Sequence, residues 1–309
     1  MLHVLFYTVL PIFSIVFLGY FLKARGLMDP AYIRNANQIV FNVAIPAMLF
    51  TEISSAPFWV NFNATAVICS LGAMALLVAL AVIAARLLVI PADRRSTFIQ
   101  SCFHGNIGYM SYAIAYYALG EESFARMAIL SSFVTLAQNL LAVWTLTVFT
   151  HAPREARTGR VMIRLIVRNP VIVSIFLGIV MSAVGLPLAQ PLKKALDILS
   201  GMAFPTALLL IGASLSFGAF RVMVREIIGI GALKLLGLPL LGYTLMKAAG
   251  VPDGLILPGM ILLGAPPATI TYVMATELGG HPELAATSIS IFTLLSAFSY
   301  SAILAMLSG

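Results

Sequence analysis

Residues 11–50 read PIFSIVFLGYFLKARGLMDPAYIRNANQIVFNVAIPAMLF, and residues 170–209 read PVIVSIFLGIVMSAVGLPLAQPLKKALDILSGMAFPTALL. Laid over one another at a constant shift of 159, the two stretches are identical at twelve of forty positions. Apolar matches come cheaply in a chain of this composition. The pairs Pro11/Pro170, Gly19/Gly178, Gly26/Gly185 and Pro46/Pro205 do not, and they fall in one ungapped register. The second half reads as a copy of the first, and internal repeats in an apolar chain are a mark of secondary transporters, whose halves move around a site near the bilayer midplane.

Composition sets the environment. Of 309 residues, 61% are hydrophobic and 9% charged, with mean hydropathy +1.03, which leaves too little polar surface for a water-soluble protein. The apolar runs approach or exceed the roughly 20 residues that span a bilayer as a helix and are far longer than barrel strands of roughly 10. The reading is an all-α integral membrane protein with ten spans, at about 4–22, 34–53, 64–89, 97–119, 123–150, 162–184, 192–216, 223–248, 254–277 and 283–307. Residues 1–150 form a first five-helix repeat, 151–161 a cytoplasmic linker and 162–309 a second repeat. An odd number of crossings per repeat makes the second copy enter from the opposite side, so the repeats are inverted.

Charge agrees with that count. With the amino terminus outside, thirteen basic residues fall in inner loops: Lys23, Arg25, Arg34, Arg86, Arg94, Arg95, Arg154, Arg157, Arg160, Arg164, Arg168, Arg221 and Arg225. Four, Arg126, Lys193, Lys194 and Lys247, fall in outer ones. By the positive-inside rule both termini face outward from the cell (inner) membrane, and the net charge of +7 is a topology signal rather than a nucleic-acid surface. The first span lacks a basic leader and reads as a helix rather than a cleaved signal. Cys69 and Cys102 are too few for a disulfide framework or a metal cluster, and nothing in the chain calls for a cofactor. Neither a Gly-x-Ser-x-Gly elbow, a His-Glu-x-x-His pair nor an Asp-rich metal motif is present, which argues against an enzyme.

Two spans carry their own interruptions. Gly105-Asn106-Ile107-Gly108 falls in the fourth and Gly264-Ala265-Pro266-Pro267-Ala268-Thr269 in the ninth. A shift of 160 superposes them and then pairs Tyr112/Tyr272, Ala115/Ala275, Gly120/Gly280, Ala125/Ala285 and Ile129/Ile289. Proline removes a backbone donor and clashes with the preceding turn, while glycine weakens a helix through backbone entropy. Both spans are expected to unwind near their middles, where broken ends point amide dipoles at an anion and carbonyls at a cation. A bare kink without a ligand is the alternative. Asn106, Gly105, Pro266, Pro267, Thr269 and Thr271 are the candidate substrate residues around these breaks, and Gly108 helps to break the helix. Pro46 and Pro205 mark breaks in spans two and seven, with Asn42 one turn before Pro46 as a further polar candidate. Gln138 and Asn139 are adjacent amides in span five, serving either helix-to-helix hydrogen bonding or the substrate route.

An ionisable group inside a span is a functional hypothesis by default. Lys234 sits near the middle of span eight, where it balances a buried carboxylate or an anionic substrate, or stands in for a coupling cation. Asp197 in span seven is its candidate acidic partner or a proton carrier. His104, beside the first break, has a titration range suited to proton coupling.

Taken jointly, the sequence from Asn37 to Phe50 around Pro46, Gly105-Asn106-Ile-Gly108, Arg168-Asn-Pro170, Pro205 with Ile211-Gly-Ala-Ser-Leu215, and Ala265-Pro-Pro-Ala268 leading to Ala275-Thr-Glu277 resembles the auxin efflux carrier family over all ten spans. That family includes plant auxin carriers and bacterial malate and malonate permeases. The resemblance implies scaffold and mobile transport domains that each draw helices from both repeats, spans four and nine crossing where they unwind, a substrate carboxylate held at the crossing in an elevator cycle, and homodimers. By matching position, Asn106 is the polar residue of the first break and Pro266 or Pro267 the proline of the second. The chain departs from the family where a glycine and a proline commonly follow the Asn, since Ser111 and Ala113 stand there. The expected activity is secondary transport of a small organic anion, a mono- or dicarboxylate, with H+ or Na+ as coupling ion and membrane lipid as surroundings. A passive anion channel or a membrane sensor on the same frame is the competing reading.

Overall fold

The computed structural model describes residues 9–150, 169–216 and 222–307. The linker at 151–161, the start of the sixth span, and Arg154, Arg157, Arg160, Arg164, Arg168 and Arg221 lie outside the described residues. Within them the chain is all-helical, with one isolated antiparallel bridge between Gly105 and Pro267 and no strands. The helices are α1 (Leu10–Ala24), α2 (Pro30–Ile39), α3 (Ile45–Ser55), α4 (Phe58–Asn61), α5 (Ala64–Leu87), α6 (Ala92–Phe103), α7 (Tyr112–Val148), α8 (Pro170–Val184), α9 (Gln190–Ser200), α10 (Ala203–Ala213), α11 (Val224–Gly231), α12 (Leu238–Ala248), α13 (Asp253–Leu263), α14 (Ile270–Glu277) and α15 (Pro282–Leu307). Six helical runs of 24 to 26 residues are apolar and long enough to cross a membrane, and α1, α8 and α13 are shorter apolar helices. At 1.5 Å rise per residue those runs reach roughly 36–39 Å.

Local chemistry explains the helix starts. Asp29 accepts the Tyr32 amide, Asn63 the Ala66 amide, and Asn169 the Val171 and Ile172 amides, each with its side-chain oxygen. In the last case Pro170 follows the cap, where its missing N–H costs nothing because that donor has no partner in the first turn of any helix. Gly26 and Gly185, the repeat-matched pair, close α1 and α8 in the left-handed region, at φ 74° and 71°. A side chain is strained at such angles, so this pair of identities reflects backbone geometry held in common.

The helices pack in two groups. One is α1, α2, α3, α8, α9 and α10, in which α1 lies on α10 and α8 on α3. The shift that maps α1 onto α8 maps α3 onto α10, so the two closest pairings are each other's counterparts. Gly19 and Gly212 make the first possible: a Cβ on Gly19 would lie 2.0 Å from the Leu209 carbonyl oxygen, and one on Gly212 would lie 1.8 Å from that of Val16. In the counterpart crossing a Cβ on Gly178 would stand 3.3 Å from the oxygen of Phe50, which is 159 residues before Leu209. Lipid gives no hydrophobic drive to helix association, so such backbone approach, by van der Waals contact, holds the group together. The second group is α5, α6, α7 and α11 to α15, in which α5 packs on α12 and α7 on α13.

Two expectations about proline need correcting in detail. Pro46 does not break its helix. A π-helical turn at Val40–Ala44 precedes it and lets α2 run into α3 as one span, the wider turn accommodating the donor that proline lacks. Pro205 sits within the first turn of α10, and the interruption falls before it, at Gly201 and Met202. Overpacking a tight contact costs about 1–3 kcal/mol, and a Cβ 2.0 Å from a backbone oxygen is at the severe end, whereas an alanine at a left-handed position costs about 1–2 kcal/mol. In detergent, Gly19→Ala is expected to lower the thermal unfolding midpoint by more than Gly26→Ala, whose added Cβ meets nothing within 4 Å. Equal losses would mean that the α1 and α10 backbones have room to separate.

Candidate functional site

Helix α6 ends at Phe103 and α13 at Leu263, residues 160 apart in the chain, and the two interrupted segments meet there. The Asn106 amide donates to the Pro266 carbonyl at 2.7 Å, and the Ala268 amide donates to the His104 carbonyl at 2.9 Å. These two bonds flank the Gly105–Pro267 bridge. In an ordinary antiparallel pair Pro266 would donate back to Asn106, but proline has no N–H. The Asn106 carbonyl is satisfied along its own chain instead, by Met110 and Ser111 amides at 3.1 and 3.3 Å. The two interruptions thus supply each other with the partners that an unbroken helix would have given.

Gln138 completes the first break. Its side-chain oxygen accepts the Gly105 amide at 3.1 Å, and its nitrogen donates to the Gly105 carbonyl at 3.2 Å. Both ends of the amide are used on one residue, so Gln138, 4% exposed, holds the unwound backbone. The second break needs no such clamp on its prolines, because they carry no donors to satisfy. Gly105 is confined for a further reason: a Cβ there would lie 2.9 Å from the Ala265 side chain and 3.0 Å from the Lys234 ammonium. Lys234 is fully buried in a π-helical turn at Ala232–Gly237, between α11 and α12. Its ammonium donates to the Phe103 carbonyl at 3.0 Å and to the Leu263 carbonyl at 3.4 Å.

Beyond the breaks the chain resumes as a π-helical turn at Ile107–Ser111 leading into α7, and as α14. Asn106 caps the former, its oxygen accepting the Tyr109 amide at 3.3 Å. Its Nδ2 donor is buried with no protein partner, as is the Thr271 hydroxyl in the first turn of α14. Buried polar groups are normally paired; among the described residues eight buried side-chain atoms are not, and these two stand beside helix starts. Ser111 donates to the Ile261 carbonyl at 3.0 Å and meets the Tyr300 hydroxyl at 3.1 Å, tying this stretch to α13 and α15.

Of the other candidates, some lie at the crossing and some apart from it. Thr269 is half-buried at the start of α14, and Gly108 is half-buried in the turn before α7. Asn42 is exposed and donates to the Gln38 carbonyl at 2.7 Å, and Asn139 donates to the Thr135 carbonyl at 2.8 Å, both within their own helices. His104 is buried at the crossing, with Nδ1 3.4 Å from the Gln100 amide and its ring stacked on Phe103. Asp197 is not paired with Lys234. It is exposed, and together with Lys193, Thr51, Glu52, Tyr116 and Tyr117 it lines a cavity of about 410 Å³ between α3, α7, α9 and α10. None of the crossing residues lines that cavity, and Asn106 and Thr271 are 5% and 0% exposed. Sequence reasoning missed the Tyr109 hydroxyl, which donates to Asn37 at 2.9 Å and joins the two helix groups. Tyr109, Tyr112, Tyr116 and Tyr117 read together as packing or interfacial anchors, and their spacing gives no sign of which one makes such a contact.

Comparison with known proteins gives the family. A family model described as membrane transport protein matches residues 4–304. A protein of Rhizobium meliloti named "Putative malonate transporter" is 29% identical over 297 residues, covering 93% of this chain and 91% of its own. An "Uncharacterized transporter" of Methanothermobacter thermautotrophicus is 26% identical over 297 residues, covering 94% of each chain. The match spans both interrupted helices and nearly every described residue, and the chain belongs to the membrane transport proteins of the auxin efflux carrier family.

Proposed function

We propose that this protein is a secondary active carrier of small organic anions, mono- or dicarboxylates, that works by an elevator-type alternation of access, and that it is not an enzyme. The observation that carries this is the crossing itself: two interrupted helices, matched in the two halves, with the buried Asn106 Nδ2 and Thr271 hydroxyl left unpartnered beside the starts of two helical segments. Helix starts carry about half a positive charge each, and amide and hydroxyl donors add directed hydrogen bonds. A carboxylate bound there is held by dipoles rather than by a fixed cation at its surface, which allows selection without preventing release. The malonate in the name of the Rhizobium meliloti relative points to the same class of cargo.

In this reading the chain has ten spans in two inverted repeats, residues 1–150 and 162–309, joined by a cytoplasmic linker. The matched helix pairs and matched closing glycines support it. The group holding α1, α3, α8 and α10 is the scaffold and dimer-forming part, and the group holding the crossing is the transport part. The cavity lined by Lys193 and Asp197 is the outer approach between them, and both termini face outward from the cell membrane. The crossing is closed over in this conformation, as a carrier requires at one stage of its cycle and a permanently open channel does not. A coupling ion drives the cycle, with His104 and Asp197 as candidate proton carriers.

Two measurements test the assignment. Proteoliposomes containing the protein are expected to accumulate labelled malonate or a related carboxylate, faster when preloaded with unlabelled substrate; a channel would show no such acceleration, and absence of any carboxylate uptake would overturn the reading. Asn106→Ala removes the free donor and its cap, and is expected to weaken carboxylate binding at least about tenfold, as for loss of a hydrogen bond to a charged group. Gln138→Leu is expected to act differently, because it strands the buried N–H of Gly105, whose carbonyl keeps the Ile107 amide at 2.9 Å. Such a stranded group costs about 1–3 kcal/mol, so the main effect is a lower unfolding midpoint, read by thermal denaturation in detergent.

A further inference from the structure

The crossing has a second face. Helices α6 and α13 end there, and each carboxyl end carries about half a negative charge from its unsatisfied carbonyls. Two such ends directed at one point amount to about one unit of negative charge at a depth without water. In discontinuous transporter helices such carbonyl ends coordinate a coupling cation. Here the carbonyl of Phe103 and that of Leu263, equivalent under the repeat, are both taken by the Lys234 ammonium, at 3.0 and 3.4 Å.

Several features show that this place is built. Among the described residues no carboxylate forms an ion pair with Lys234, so the carbonyl ends are its counter-charge. The lysine comes from neither interrupted segment. It enters from the π-helical turn Ala232–Gly237, whose extra residue widens the helix at that point. Gly105 leaves space beside the ammonium, since a Cβ there would stand 3.0 Å from Nζ and 2.9 Å from the Ala265 side chain. Only one break is glycine-lined against the cation, whereas the other ends in two prolines.

We propose that the Lys234 ammonium is a tethered cation, occupying from within the chain the place where two helix carboxyl ends would otherwise require a bound monovalent cation, so that anion binding at the crossing is independent of sodium. The ammonium cancels the negative end of the crossing and leaves the helix starts on its other side to attract the substrate. Removing its charge unmasks a carbonyl-lined cavity that accepts a small cation. The anion part of this inference rests on the carboxylate reading above; the cation part does not.

The test uses the purified full chain in detergent, with sodium chloride or N-methylglucamine chloride, and malonate as the anion. Wild-type unfolding temperature and malonate affinity are expected to be the same in the two salts. Lys234→Ala in N-methylglucamine is expected to unfold at lower temperature and to lose malonate affinity at least about tenfold, and both are expected to recover when sodium or propylammonium is added. Lys234→Gln, which keeps a donor near the two carbonyls, serves if the alanine variant does not fold, and is expected to show the same cation dependence. A sodium requirement in the wild type would overturn the proposal. So would an alanine or glutamine variant that folds and binds without any small cation, or one that none of the added cations restores. If no carboxylate binds the wild type, the carboxylate reading falls, while the cation dependence of the variants' unfolding temperature still decides this one.

Discussion

Everything about this molecule's centre follows from one constraint, that a peptide group stripped of its helix bond at membrane depth has no water to turn to. Interrupting a single span would leave several donors and acceptors stranded, at several kcal/mol for each in hydrocarbon. Interrupting two at the same level lets each serve the other. The bonds from Asn106 to Pro266 and from Ala268 to His104 are that exchange. What they leave over is taken by side chains: Gln138 takes both groups of Gly105, and Lys234 takes the last carbonyls of α6 and α13. The polar residues in these apolar helices are best understood as the remainder of this arithmetic.

Much of the fold is legible in the chain because membrane helices announce themselves by length and apolarity. The expected spans 64–89, 223–248 and 283–307 differ by one or two residues from the helical runs Ala64–Leu87, Val224–Ala248 and Pro282–Met306. The breaks were legible too, since Gly-Asn-x-Gly and Pro-Pro cannot continue a helix comfortably. The effect of Pro46 was not. Whether a proline kinks a helix, ends it or is absorbed by a π turn depends on how neighbours place the preceding carbonyls, which no local pattern encodes. Rotation of a helix about its axis was equally hidden. Asn42 lies one turn before a proline, as expected, yet faces outward and bonds within its own helix.

The same limit separated the adjacent amides Gln138 and Asn139. Neighbouring residues on a helix point about 100° apart, so at most one meets a given target. Sequence said that one must face protein; only packing said that it is Gln138, and that its target is a peptide rather than a cargo. Lys234 was the converse case. Its depth made it conspicuous, and a carboxylate such as Asp197 was the natural partner to expect. Two helix ends serve that purpose without any acidic residue, and backbone charge of this kind is invisible in composition.

The halves are most alike where they pack and least alike where they break. Gly19 against Leu209 and Gly178 against Phe50 repeat one contact almost residue for residue, whereas Gly105-Asn106 on one side is answered by Ala265-Pro266 on the other. Helix packing in lipid needs only small residues and close backbones, so duplication can preserve it unchanged. At the crossing, identical sequences would duplicate every demand as well as every supply. Two Gly-Asn breaks would double the amide donors to be satisfied, and two Pro-Pro breaks would leave neither Asn106 N–H nor its free Nδ2. One break rich in donors and one whose two prolines lack them gives a pair that closes on itself, with the Ala268 amide as its return bond, and still has a donor to spare. That spare donor, with the ammonium held on the last carbonyls of α6 and α13, gives the crossing a polarity that two identical breaks related by symmetry would not have.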